Sequence, residues 1–210
     1  MYVVKEGYIF AAAPILLGAL AFAFGRELLL WQLAGAVFLF LGAFILYFFR
    51  DPNREIPADP SAVVSPADGR VLVVADEMLD GRAGRRISIF LAIWNVHVNR
   101  SPLAGRISRI DYRPGRFHMA MKSEASVENE QNVIYLQTAR GEIVCKQIAG
   151  MIARRVVLWK KSGEEVGRGE RIGIVRFGSR MDVWLPRDAE VIVKPGDHVA
   201  GGSSILARWP

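Results

Sequence analysis

The chain is poor in the residues that carry most site chemistry. It has one cysteine, Cys145, so no internal disulfide can form, and this suits a reducing compartment. It has three histidines, His97, His118 and His198, so acid-base work near neutral pH has few candidates. Three scattered histidines and one cysteine offer no ligand spacing of the usual zinc kind, which disfavours zinc hydrolysis and leaves no metal site to name. No heptad run is present, which argues against a long coiled coil. No nucleic-acid motif accompanies the formal charge of +6, so nucleic acid is not the expected partner.

Apolar sequence is abundant and unevenly spread. One run extends from Tyr8 to Phe24 and a second, without any charge, from Leu28 to Phe49. About 20 helical residues cover the roughly 30 Å of a bilayer's hydrocarbon, so the second run is long enough to cross. The first is shorter and contains Pro14, a candidate kink. Gly25, Arg26 and Glu27 separate the two, which predicts a hydrophobic helical hairpin over residues 1–49 with both ends on one side. Lys5 before the first run and Arg50 and Arg54 after the second outweigh Arg26, placing both ends in the cytoplasm at the cell membrane. A hairpin spanning the bilayer and one lying in a single leaflet both remain open. The second, longer run argues against a cleaved signal peptide.

Residues 50–210 suffice for one compact domain. Its arginines and lysines, among them Arg70, Arg113, Arg116, Lys122, Arg154 and Lys160, suit an anionic membrane surface beside an apolar hairpin. Short β-rich runs punctuated by Gly, Pro and Asp recur at 71–75, 86–92, 107–112, 133–138, 142–149, 171–177, 181–185 and 190–193. That spacing predicts a mostly β domain, a barrel or a sandwich. Met151 to Leu158 reads as helix or strand. An internal echo, Gly-acid-x-Val-x-x-Gly, starts at Gly163 and again at Gly196, each copy a tight turn followed by a strand as in biotinyl and lipoyl carriers. No lysine sits at a hairpin tip between the copies.

One dipeptide stands out chemically. In Arg176-Phe177-Gly178-Ser179-Arg180, glycine leaves its carbonyl open to close approach, and a base that activates the Ser179 hydroxyl lets it attack that carbonyl. Two other segments supply the base and its support. Asp68 lies in Ser65-Pro66-Ala67-Asp68-Gly69, and His97 lies in Trp94-Asn95-Val96-His97-Val98-Asn99-Arg100 after an apolar strand. An Asp-His-Ser relay would have Asp68 orient His97 while His97 takes the Ser179 proton. Each member alone also reads as ordinary structure, Asp68 as a turn residue and His97 as a packing histidine. Gly202-Ser203 is a second Gly-Ser step, but cutting there releases only a short tail.

Taken together, these segments resemble the phosphatidylserine decarboxylase family in its short proenzyme form. The resemblance covers most of the chain: the hairpin, Tyr47-Phe48-Phe49-Arg50-Asp51-Pro52, the Asp68 and His97 segments, Tyr112-Arg113-Pro114-Gly115-Arg116-Phe117, Glu128-Asn129-Glu130 and the Gly178-Ser179 step. It implies self-cleavage between 178 and 179 into a large chain 1–178 and a small chain 179–210. Ser179 is then the precursor of a covalent pyruvoyl group, a pyruvate cofactor that takes the substrate amine as a Schiff base. Asp68 and His97 become the processing relay. Phosphatidylserine is the implied substrate, phosphatidylethanolamine and CO2 the products, and a homodimer is compatible with the chain. The sequence departs from the longer bacterial form in having Phe-Gly-Ser-Arg at the cut and Trp94 where that form has a further histidine. His118 is a candidate for the proton donor so displaced, and equally an ordinary histidine. Arg50, Arg113 and Arg116 are candidates, by position only, for the substrate phosphate. Two other classes stay open: a membrane-anchored adaptor with a carrier-like domain, and a pyruvoyl decarboxylase of a soluble amino acid.

Overall fold

The computed structural model describes residues 2–116, 118–119, 121, 125–150, 156–176 and 179–209. The chain divides into two compact units, residues 1–53 and 54–210. In the first, β1 (Tyr2–Val3) precedes α1 (Lys5–Phe24) and α2 (Leu29–Phe48), and β2 (Arg50–Asp51) returns to pair with β1. The helix α1 starts at Lys5, three residues before the apolar run, and continues through Pro14 to reach 20 residues. Both helices are long and apolar enough to cross a membrane. Gly7, Ala11, Pro14, Gly18 and Ala21 form the buried stripe of α1, and Gly35 and Gly42 are buried on α2. Small side chains at helical spacing let two apolar helices approach closely. The large side chains, among them Leu16, Leu29, Leu30, Val37 and Phe40, point outward.

The second unit runs β3 (Ala62–Val64), β4 (Gly69–Leu79), β5 (Arg82–Leu91), β6 (Val98–Arg100), β7 (Gly105–Arg113), α3 (Ala125–Glu128), β8 (Gln131–Thr138), β9 (Gly141–Ile148), β10 (Val156–Leu158), β11 (Glu165–Val166), β12 (Arg171–Val175), β13 (Ser179–Pro186), β14 (Glu190–Val191), β15 (His198–Val199) and β16 (Ile205–Arg208). Eight strands form one curled antiparallel sheet in the order β11-β7-β8-β9-β13-β5-β4-β15. Two three-stranded sheets accompany it, β10-β12-β6 and β14-β16-β3. The expected mostly β domain behind an apolar helical hairpin is therefore present. Val156 to Leu158 is strand, and residues 151–155 lie outside the described set.

The internal echo is an echo of backbone. Gly163 and Gly196 have φ of 92° and 102°, and Gly169 and Gly202 have 74° and 82°, in corresponding places. A side chain is strained at these angles, so glycine recurs where the turn recurs. The strands that follow the first turn of each copy, β11 and β15, occupy the two ends of the eight-stranded order.

Register decides what each face of the sheet carries. Met181, Val183 and Leu185 of β13 lie opposite Ile89, Ile87 and Arg85 of β5, and Met181 and Val183 lie opposite Gln147 and Cys145 of β9. With Leu91, Ile134, Leu136 and Ile143, the apolar members of these rows build the main core. Burial in it pushes the Cys145 thiol up to about 12, so this cysteine is packing rather than a nucleophile. The alternate residues Arg180, Asp182 and Trp184 face the other way. There Trp184 packs with Val133, Tyr135 and Val144.

Candidate active site

Backbone pairing and chain continuity link the three chemically interesting segments through β6 and β12. The strand β6 begins just after His97 and pairs with β12, Val98 opposite Ile174 and Asn99 opposite Gly173. The Val175 N–H donates to the His97 carbonyl at 3.3 Å, extending that pairing to His97 itself. Four residues after Val175 the chain reaches Ser179, the first residue of β13, which lies opposite Leu91. On the other side of β6, the Arg100 N–H donates to the Pro66 carbonyl at 2.8 Å, which ties down the turn holding Asp68.

Ser179 is fully buried, and its Oγ has no hydrogen-bond partner among the described residues. Alternation along β13 puts it on the same face as Met181, toward the core. An unpartnered hydroxyl in such a place is costly, about 1–3 kcal/mol, so Ser179 is a candidate reactive group rather than a packing solution. Gly178 and Phe177 lie outside the described residues. The rival Gly202 sits in the second echo turn, where its N–H donates to the Ser65 carbonyl at 2.7 Å.

His97 is fully buried, and its Nδ1 lies 2.9 Å from the Asn95 carbonyl. A carbonyl only accepts, so Nδ1 carries the proton, and in the neutral ring the lone pair would lie on Nε2. Asn95 is itself fixed, its Oδ1 accepting from the Ala92 N–H at 2.8 Å. Asp68 is gripped on both oxygens by Arg54 Nη2, at 2.8 and 2.7 Å, and accepts from the Gly201 N–H at 2.7 Å. The structure therefore joins the Asp68 turn to β6 and gives the carboxylate a cation from the segment that follows the hairpin. Sequence reasoning missed both Arg54 and Gly201 as its partners, because neither spacing nor periodicity signals a contact across so many residues.

The segment carrying His118 is stapled by Asn129. Asn129 Oδ1 accepts from the His118 N–H at 2.8 Å, and its Nδ2 donates to the carbonyls of His118 and Ala149 at 2.9 and 2.7 Å. Ala149 follows Ile148, which lies opposite Arg180, so this segment is clipped to the Ser179 end of the sheet. The His118 ring contacts Glu128 Oε2 at 3.0 Å through Nε2. Arg116 is largely exposed and pairs with the same carboxylate at 3.6 Å. Arg113 is exposed at the end of β7. In the first unit, Arg50 donates to the Tyr47 carbonyl at 2.8 Å and stacks 3.8 Å from the Tyr47 ring.

Directly behind Ser179, on the opposite face, lies a buried ionic lattice. Arg180 donates from Nε to Asp182 Oδ1 at 2.7 Å and from Nη2 to Ser88 Oγ at 2.6 Å. Asp182 also accepts from Ser126 Oγ at 3.0 Å, and Arg86 Nη1 stands 3.9 Å from it. Arg86 continues to Glu77, which Lys146 approaches at 3.6 Å. Arg180 and Asp182 are 2% and 1% exposed, so this lattice anchors the strand that Ser179 begins.

A buried serine with an unpartnered hydroxyl and a buried histidine, in a mostly β domain that an apolar helical hairpin precedes in the chain, are the residue types from which an enzyme's nucleophile and base are drawn. Comparison with known proteins supplies the particular chemistry. The family model described as phosphatidylserine decarboxylase matches residues 41–207. A phosphatidylserine decarboxylase proenzyme from Solibacter usitatus is 48% identical over 194 residues, covering 90% of this chain and 92% of that protein. One from Symbiobacterium thermophilum is 42% identical over 213 residues, covering 99% and 96%. The chain belongs to the phosphatidylserine decarboxylase family, and it is a decarboxylase.

Proposed function

We propose that the chain is a proenzyme that cuts itself between Gly178 and Ser179 and then, as two chains, decarboxylates phosphatidylserine to phosphatidylethanolamine and CO2. The observation that carries this reading is the buried, unpartnered Ser179 Oγ, four residues along the chain from the strand that pairs with His97. His97 Nε2 takes the Ser179 proton, Oγ adds to the Gly178 carbonyl, and the peptide C–N bond breaks to leave an ester and a free Ser179 amine. Removal of the Ser179 α-proton then breaks the Cβ–Oγ bond and releases residues 1–178 as a carboxylate. Water replaces the nitrogen of the remaining dehydroalanine, ammonia departs, and residue 179 ends as pyruvoyl. Asp68 would support the protonated His97 by its charge, since its oxygens are held by Arg54 and the Gly201 N–H while the Asn95 carbonyl binds His97 Nδ1.

The surroundings of position 179 suit such a group, since the orphaned oxygen there is buried beside core residues. A pyruvoyl group supplies an electron sink for the pair left behind by CO2. The chain's own residues do the rest. His118, held against Glu128, donates the proton that replaces the carboxylate. Arg50, Arg113 and Arg116 draw the lipid phosphate by charge. The two apolar helices keep the domain at the membrane, with its chemistry on the cytoplasmic side. Mass spectrometry of the purified chain tests the reading. Fragments 1–178 and 179–210, the smaller with a blocked N-terminus, are expected. An intact chain, or a cut before Ser203, overturns it.

A further inference from the structure

A chain of three buried amides ends in a donor without a hydrogen-bond partner among the described residues. Asn132 Nδ2 donates to Gln147 Oε1 at 3.0 Å, and Gln147 Nε2 donates to Asn99 Oδ1 at 2.9 Å. Gln147 Nε2 also reaches the Val157 carbonyl at 3.4 Å, and a carbonyl only accepts, so this end of Gln147 is the NH2 end. The Asn99 atom facing it must then be the oxygen. The orientation of Asn99 is thereby fixed, with its NH2 turned the other way. Asn99 is fully buried, and its Nδ2 has no hydrogen-bond partner among the described residues. The fold makes room for this arrangement: a Cβ on Gly173, the residue opposite Asn99, would stand 2.8 Å from Gln147 Nε2 and 2.3 Å from the Val157 oxygen.

Position says what the donor is for. Asn99 and His97 are two residues apart along one extended segment, so they share a side of it while Val98 faces away. Gln147 lies opposite Met181, two residues from Ser179 and on the same face of β13. An orphaned N–H pair and an orphaned hydroxyl are thus both linked to position 147 of β9, one through the Asn99–Gln147 hydrogen bond and the other through Met181, two residues along β13 from Ser179. The Gly178 carbonyl becomes an oxyanion when Ser179 Oγ bonds to its carbon, and an oxyanion needs preorganised donors. We propose that Asn99 Nδ2 is a hydrogen-bond donor to that oxygen, a catalytic residue of the self-cleavage. This rests on the self-processing reading. The donor stabilises the tetrahedral adduct formed as the Oγ proton passes to His97, and its role ends when the C–N bond breaks and nitrogen takes the proton.

The test is the rate of cleavage of the full chain in detergent, read by mass, with the ester trapped by hydroxylamine. Asn99→Leu is expected to slow cleavage about 10²–10³-fold, and hydroxylamine should release no additional fragment, because the ester itself fails to form. Asn99→Asp keeps the oxygen that Gln147 binds and replaces only the donor. Its cleavage should fall as pH rises and the new carboxyl loses its proton, whereas wild-type cleavage should rise as His97 becomes neutral. A Leu variant within threefold of wild type, or an Asp variant with the wild-type pH profile, overturns the proposal while leaving self-processing intact. A wild-type chain that is not cut between 178 and 179 overturns both.

Discussion

The two faces of β13 differ sharply in what they bury. One carries Ser179, Met181, Val183 and Leu185 into an apolar core, and the other carries Arg180 and Asp182 into an ionic lattice with Ser88, Arg86 and Ser126. On the first face a single polar atom is left unsatisfied, among the described residues, at the strand's first position. On the second, polar atoms are heavily cross-bonded. The contrast separates reactivity from rigidity: a nucleophile needs an uncommitted oxygen, and holding that oxygen in place needs a committed neighbour. On the proposed self-cleavage, alternation lets adjacent residues, 179 and 180, take the two roles.

Substitutions on each face can break or sharpen this division. The largest effect is expected from Ser179→Ala, which should abolish cleavage and CO2 release while the melting temperature stays within a few degrees of wild type. His97→Gln should leave an uncut chain or one cut about 10²–10⁴-fold more slowly, measured as accumulation of fragment 179–210. On the other face, Arg180→Met should cost about 3 kcal/mol of stability in denaturant unfolding, because Asp182 loses its nearest cation and keeps only the more distant Arg86. Removing both charges together, Arg180→Met with Asp182→Leu, should restore much of that loss. If Arg180→Met instead unfolds like wild type but fails to cut, the division between the faces is wrong.

The smallest effect lies far from both faces. Glu170 is held below the usual carboxylate range by the Gly167 N–H and then by Lys160. A lowered folded value means stability that is present above the unfolded value of about 4.3 and lost as pH falls through the folded one. Glu170→Gln should flatten the melting-temperature profile below about pH 5, by no more than is usual for an exposed pair, ~1 kcal/mol.

Much of this architecture is legible in the sequence because one face of most strands is apolar. The runs around 86–92, 133–138 and 181–185 alternate or cluster as strands do, and they became β5, β8 and β13. The hairpin is legible from length alone, although the three residues that extend α1 back to Lys5 are not, since they carry no apolar signal. Ser179, His97 and Asp68 can be picked out by chemistry. Their neighbours cannot. Arg54 on Asp68 and Asn129 beneath His118 join segments outside the strands, and Gln147 against Asn99 joins strands of two different sheets, so each contact comes from tertiary packing that no local pattern encodes. Arg180 and Asp182 were visible as charges in a strand, yet their burial follows only from Ser88 and Arg86 on the neighbouring strand.

The echoed turns have a bearing on how the molecule behaves in company. An open sheet of eight strands has two rims, each a potential template for pairing with a strand of another chain. Here both rims are formed by two-residue strands, β11 and β15, each following a glycine turn. Each covers only the start of the strand beside it, Gly105 and Arg106 of β7 and Gly69 and Arg70 of β4, so among the described residues the outer edges of β7 toward Arg113 and of β4 toward Leu79 have no strand partner. The repeated turns thus mark where the sheet ends without closing it, and the uncovered lengths of β7 and β4 are the places where a strand of another chain would add.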